Sequence, residues 1–171
     1  ILMLDRGKVI FTGTLAEAEN TDVARVRSVK SVAWAAPIYS GIQRVRLENG
    51  NFKMIQLIGI DANTLAGAPA KMLEGNLMKL RLPHSVIIDD LGVTRLARKR
   101  GEKVKMGDVF ELNDQEARVV GIADAATSFT GGPYVWTTYE RALQYVPAQR
   151  KMLQAVICAP REGVSLDQAV A

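Results

Sequence analysis

The stretch IQRVRLENGNFKMIQLIGID, residues 42–61, decides the fold. Two β-prone runs flank Glu48-Asn49-Gly50-Asn51, and Asn-Gly between such runs is the strongest short-range hairpin signal, because both residues tolerate positive φ. A second stretch, GDVFELNDQEARVVGIAD at 107–124, repeats the design around Asn113-Asp114. Both second strands leave through Gly-Ile and an aspartate, as Gly59-Ile60-Asp61 and Gly121-Ile122-Ala123-Asp124. The echo is too short to be a repeat, but it fits two exits from one sheet system. Antiparallel hairpins therefore frame the chain.

Helical signals are short and lie between the strands. Leu15, Ala18, Val23 and Val26 form a partial stripe, followed by the strand-like SVAWAAPIYSGIQ at 31–43. In VIIDDLGVTRLARKR, residues 86–100, a buried strand over Val86–Ile88 turns into a helix. Asp89 or Asp90 serves as its N-cap, and Val93, Leu96 and Ala97 form its packed face. Farther on, Thr137-Thr138-Tyr139-Glu140 has the form of a capping box, with Thr137 as the cap. Tyr139, Ala142, Leu143 and Val146 follow at helical spacing, and Pro147 stops the run, which predicts a helix from about Thr138 to Val146. The fold class is mixed α/β. Of the 171 residues, 48% are hydrophobic, enough for one domain or two small parts sharing a core. No apolar run approaches the ~18 residues of a membrane helix.

Chemistry is sparsely signalled. The one histidine, His84, lies between Pro83 and Ser85, and no G-x-S-x-G elbow supplies a nucleophile. Asp89-Asp90 has no histidine or third carboxylate at ligand spacing, so helix capping explains the pair better than a metal. GEKVKMGD has the wrong spacing for a Walker A loop, and TGGP has no lysine at its helix entry. Cys158, the one cysteine, sits in an apolar run and reads as a small buried side chain. No catalytic, cofactor-binding or metal-binding residue is expected. The net charge of +4 concentrates in RLARKRGEKVKMGD, residues 95–108. These cations suit nucleic acid or anionic lipid. They equally suit a helix C-terminus ended by Gly101. The cluster lacks interleaved aromatics, helix-turn-helix grammar and zinc spacing, which leaves a basic nucleic-acid-binding domain as the reading from a different class.

The order of VAWAAPIYSG, LIGIDANT, MLEGNL, SVIIDD, MGDVFEL, ARVVGIAD and PYVWTTYERAL resembles the MacB-type periplasmic core domains of ABC-transporter permeases in the FtsX/MacB/LolE superfamily. Leu73-Glu74-Gly75-Asn76, where the wider superfamily tends to read Leu-x-Gly-Arg, and Trp136, where many relatives have proline, favour the DevC-like branch. The resemblance implies a two-part α/β domain, with β-α-β units near the membrane and a β-rich insertion. Residues 1–171 would form one extracytoplasmic domain between two transmembrane helices of an inner-membrane permease, so both ends read as cuts in a longer chain. The membrane-proximal part would be 1–60 with 134–171, and the insertion 61–133. The domain would perform no chemistry. It would pass on motion driven by a separate cytoplasmic ATPase subunit, in a permease dimer working with a periplasmic adaptor and a TolC-like outer-membrane channel, to export a lipid-like or other hydrophobic cargo. A lipoprotein-release or cell-division-type ectodomain of the same superfamily is the alternative. No nucleic-acid partner is implied.

An adaptor contact is expected on loops and hairpin tips far from the termini: the Asn49-Gly50 turn, the ANTLAGAPAKM segment at 62–72, and the TSFTGG loop at 127–132. Within these, Asn49, Phe129 and Thr130 are the candidate contact residues. Phe129 has no periodic partner, so it is either an interface anchor or a satellite core contact.

Overall fold

The computed structural model describes residues 2–5, 8–12, 20–47, 49–97, 99, 101–126, 131–147 and 154–165, with only the backbone described up to residue 22. In chain order the strands and helices are β1 (Leu2–Asp5), β2 (Lys8–Thr12), α1 (Asn20–Ser28), β3 (Val32–Arg46), β4 (Phe52–Ile60), β5 (Lys71–Gly75), a 3₁₀ turn (Leu77–Arg81), β6 (Ser85–Asp89), α2 (Asp90–Arg95), β7 (Val109–Leu112), β8 (Gln115–Asp124), β9 (Tyr134–Thr138), α3 (Tyr139–Tyr145) and β10 (Ala155–Pro160).

β1 and β2 form a two-stranded antiparallel sheet, and the other strands form an 8-stranded mixed sheet in the order β10-β3-β4-β9-β6-β8-β5. The short β7 pairs with both β8 and β3, which closes β3-β4-β9-β6-β8-β7 into a ring. β4 with β9 and β6 with β8 run parallel, and the remaining pairs of the ring are antiparallel.

Alternation of side chains fills both faces of the ring, because successive strand residues point to opposite sides. Val45, Leu57, Val86, Ile88, Leu112, Val119 and Val135 belong to the larger cluster. Their strand neighbours Ile87, Val120 and Trp136 belong to a second cluster, covered by Leu65, Met72 and Leu77. All five residues of β6 are buried, which is why Val86-Ile87-Ile88 reads as an unbroken apolar run.

Both hairpins fall where the sequence places them. Gly50 N–H donates to Leu47 O at 2.8 Å and Leu47 N–H to Asn51 O at 2.9 Å, with Gly50 at φ +80°. Asn113 and Asp114 both take positive φ, 49° and 60°, between the paired Leu112 and Gln115, as a two-residue hairpin loop requires. SVAWAAPIYSGIQ is a strand and runs on without a break into the hairpin, giving β3 its 15 residues. Of the partial stripe at Leu15–Val26, residues 13–19 lie outside the described residues; Val23 is buried and Val26 packs against the main cluster.

The capping box at Thr137 does not form. Thr137 and Thr138 are the last residues of β9, paired in parallel with Gly59 and Ile60. The helix starts at Tyr139 with Thr138 as N-cap and no side-chain capping bond. Thr137 Oγ1 donates instead to Ser85 O at 2.9 Å. Strand pairing captures these β-branched residues before the helix can use them. Ser165-Leu166-Asp167-Gln168 also has the form of a capping box, but its last three residues lie outside the described residues, as do Ile1 and Ala171.

α3 packs on β4 because Gly59 has no side chain. A Cβ there would lie 2.5 Å from Ala142 Cβ and 3.2 Å from Tyr139 Cα. Gly59→Ala is therefore expected to destabilise the fold by about 2 kcal/mol in urea unfolding. Gly50→Ala, with nothing near its Cβ, is expected to cost only about 1 kcal/mol, from its positive φ.

Candidate interaction surface

β3 is long, spanning 15 residues at ~3.3 Å each. Its first half pairs with β10 from Val32 to Ile38, and α1 and β1 lie at this end, against β3 and β10 respectively. Its last residues pair with β4 and β7, and the Asn49-Gly50 turn caps the far end. Asn49 is exposed there, its Oδ1 accepting from Asn51 N–H at 3.0 Å.

α2 holds a second loop at the same end. Asp89 ends β6 as the buried N-cap: Oδ1 accepts from Gly92 N–H at 2.7 Å and Oδ2 from Tyr134 N–H at 3.0 Å. One carboxylate thus ties the start of α2 to the start of β9. At the other end of α2, Arg95 Nη1 donates to Gly131 O. Pro133 O accepts from Gln56 N–H at 2.8 Å, so Gly131–Tyr134 is clamped between α2 and β4. Phe129 and Thr130 lie outside the described residues; their C-terminal anchor sits beside the hairpin arm that carries Asn49. The segment 62–72 is tied to the fold at its start and along one side. Asp61 Oδ2 accepts from Thr64 N–H and Oγ1 at 2.8 and 2.9 Å. Leu65, Ala68 and Met72 then cover the second cluster.

The basic stretch departs from its sequence reading. α2 ends at Arg95, where Leu96 N–H donates to Gly92 O, well before Gly101. Gly101, at φ +90°, belongs to a separate turn closed by Glu102 N–H to Lys99 O. The chain then folds back, Val104 N–H donating to Val93 O at 2.8 Å, which leaves Lys99, Lys103 and Lys105 exposed. The stretch ends the helix early because Leu96 and Val104 are drawn into the core.

Groups with reactive potential are engaged structurally. His84 is exposed at φ 56° in the turn before β6, and its carbonyl accepts from Arg118 N–H at 2.7 Å. Burial raises the Cys158 thiol pKa, which disfavours its thiolate. Arg141 Nη1 donates to Leu80 O, Ser85 O and Thr137 Oγ1 at 3.0, 3.3 and 3.3 Å, pinning α3 to the 3₁₀ turn and β6. Burial lowers its pKa. Tyr145, pushed up to about 12 by burial, donates its hydroxyl to Glu116 O at 2.9 Å. Neither tie was read in the sequence; Tyr145, i+6 from Tyr139, lies off the stripe read from it. Among the described residues no three His, Cys, Asp or Glu side chains gather as a metal site, and no helix is long and apolar enough to cross a membrane.

Burial raises the Asp89 pKa, against the two N–H donors, which lower it. An acid raised in the folded state supports the fold fully below its unfolded pKa and loses that support as pH rises through the folded value. The stability lead of the wild type over Asp89→Asn in urea unfolding is therefore expected to be largest below about pH 4 and to shrink as pH rises. Asp89→Ala, with no side-chain acceptor, should be about 1 kcal/mol less stable than Asp89→Asn at every pH, since neither residue titrates.

A family model described as the MacB-like periplasmic core domain matches residues 4–171. No curated protein matches the chain. Among solved structures, the extracellular domain of the noncanonic ABC-type transporter YknZ from Gram-positive bacteria superposes with TM-score 0.68 at 12% identity, covering 91% of this chain and 80% of that one. The periplasmic region of MacB from Actinobacillus actinomycetemcomitans gives 0.65 at 12% identity, covering 88% and 69%. At such identities the superpositions speak for the fold.

Proposed function

The chain belongs to the MacB-like periplasmic core domain family, and we propose that it is the periplasmic domain of an inner-membrane ABC-transporter permease that engages an adaptor through its hairpin end. The match over residues 4–171 carries this reading. In it the domain does no chemistry. ATP hydrolysis in a separate cytoplasmic subunit moves the membrane helices of a permease dimer, and the domain relays that motion to the adaptor and a TolC-like channel, exporting a lipid-like or other hydrophobic cargo. The departures at Leu73–Asn76 and Trp136 support the DevC-like branch.

The geometry suits a relay. One continuous strand, β3, links the end bearing α1, β1 and β10 to the hairpin end. Closure of the ring leaves the hairpin base no hinge of its own, so motion entering at one end emerges at the other as rigid-body displacement. The α1/β10 end is the membrane-facing one in this reading, and Asn49, Phe129 and Thr130 belong to the adaptor-facing one. Residues 1–60 with 134–171 and residues 61–133 supply the two parts, although the ring takes strands from both and gives them a common core.

The test is site-specific photo-cross-linking in the full permease within its membrane. A photoreactive residue at Asn49 is expected to cross-link the adaptor, whereas one at the exposed Ala24 of α1 is not; the reverse pattern overturns the orientation. Phe129→Ala is expected to reduce export while leaving the melting temperature unchanged. A fall in melting temperature would assign Phe129 to the core instead.

A further inference from the structure

The register of the β3–β4 arm sets Arg44 opposite Met54 and Arg46 opposite Phe52, with Ile42 opposite Gln56. These residues share the outer face, while Val45 and Ile55 between them are buried in the core. β9 covers β4 only from Gln56 onward. The strand end beyond it leaves Ile42 44%, Phe52 52% and Met54 54% exposed. Exposed apolar side chains are ordinary when scattered; three on one face of a two-stranded arm form a patch. The Arg44 guanidinium lies over the Phe52 ring at 4.4 Å from its centroid, which orders the aromatic and keeps a cation beside it.

Next to Met54 the arm borders a cleft of about 420 Å³, lined by Lys53, Met54, Arg95 and Gly131–Pro133, with two cations and, among the described residues, no acidic one in its wall. Arg95 is held there by its bond to Gly131 O. Apolar anchors beside a pair of cations call for a ligand of matching pattern.

We propose that the free edge of β4 in this arm is a docking site for a protein segment that presents a carboxylate next to apolar side chains, the carboxylate entering the cleft between Arg95 and Lys53, which lies on the Val45 side of the strand, and the apolar groups covering Phe52 and Met54 around the edge. The inference rests on the permease reading and names the chemistry of the adaptor contact within it. A second copy of this edge is a poor occupant, since Arg44, Lys53 and Arg95 would meet their own kind.

The test measures binding of the cognate adaptor to the full permease in detergent, together with the melting temperature. Lys53→Glu with Arg95→Glu, and separately Phe52→Ala with Met54→Ala, are each expected to weaken binding by about tenfold or more. Melting should hold in the apolar variant; the single Lys53→Glu, which leaves the Arg95–Gly131 bond intact, controls for folding and should still weaken binding several-fold. An Asp or Glu to Lys change in the adaptor that restores binding to the charge-reversed permease confirms the pairing. Unchanged binding in all three variants overturns the site. If the Asn49 cross-link persists in that case, the permease reading stands without it; if the wild type neither binds nor cross-links an adaptor, the underlying reading falls as well. Loss of binding to phosphatidylglycerol vesicles in these variants, with adaptor binding intact, makes the edge a lipid contact and also overturns the proposal.

Discussion

β3 is hydrogen-bonded to three different strands along its length: β10 over Val32–Ile38, β4 over Ile38–Arg46 and β7 over Val45–Arg46. The three ladders must agree on one register, because a one-residue slip turns every inward side chain outward. The agreement shows in the core. Ala35 and Tyr39 near the β10 end and Val45 near the hairpin end all belong to the same cluster. Tyr39 also fixes the strand from within, its hydroxyl accepting from Gln43 Nε2 at 2.9 Å. Gly41 makes this possible, since a Cβ there would lie 2.5 Å from that hydroxyl oxygen. One side-chain tie thus lies just past the change of partners along β3.

Polar groups complete the closure where apolar packing stops. Asp89 sits where β6, α2 and the start of β9 meet, and Thr137 and Arg141 sit where the start of β6, the end of β9 and α3 meet; each satisfies backbone groups of another element. Among the described residues every buried side-chain nitrogen and oxygen has a partner. This matters energetically because an orphaned buried polar group costs ~1–3 kcal/mol.

Local grammar carried much of the sequence reading. Gly50 and Asn113-Asp114 announce their hairpins through the positive φ they take, and the buried Val86–Ile88 announces a central strand. Asp89, one of two residues readable as the cap, is the one that caps. What escaped the sequence is what depends on distant partners. Thr137 has the right neighbours for a helix cap, yet a parallel ladder to Gly59 decides its state. The contact of β7 with β3 involves only Val45–Leu112 and Arg46–Glu111, too little to leave a periodic trace in either segment. The segment 62–72 reads as a loop because it is rich in small residues; its contact with the second cluster, through Leu65, Ala68 and Met72, depends on partners distant in sequence. For the interaction surface, Asn49 was legible as a tip, while Lys53 and Arg95 meet only through the placement of α2 beside β4.

The two-pair seam between β3 and β7 gives the ring a preferred direction of strength. A pull along β3 loads its ladders in shear, so that many hydrogen bonds bear the force together and none yields alone. A sideways push on the hairpin arm works differently: it reaches Arg46–Glu111 first, then Val45–Leu112, and peels them one pair after the other. The Arg46–Glu111 ion pair at 3.6 Å is exposed and adds little resistance there. The arm is thus stiffer to load along β3 than to load across it, and the seam yields from its exposed rim inward to the buried Val45 and Leu112.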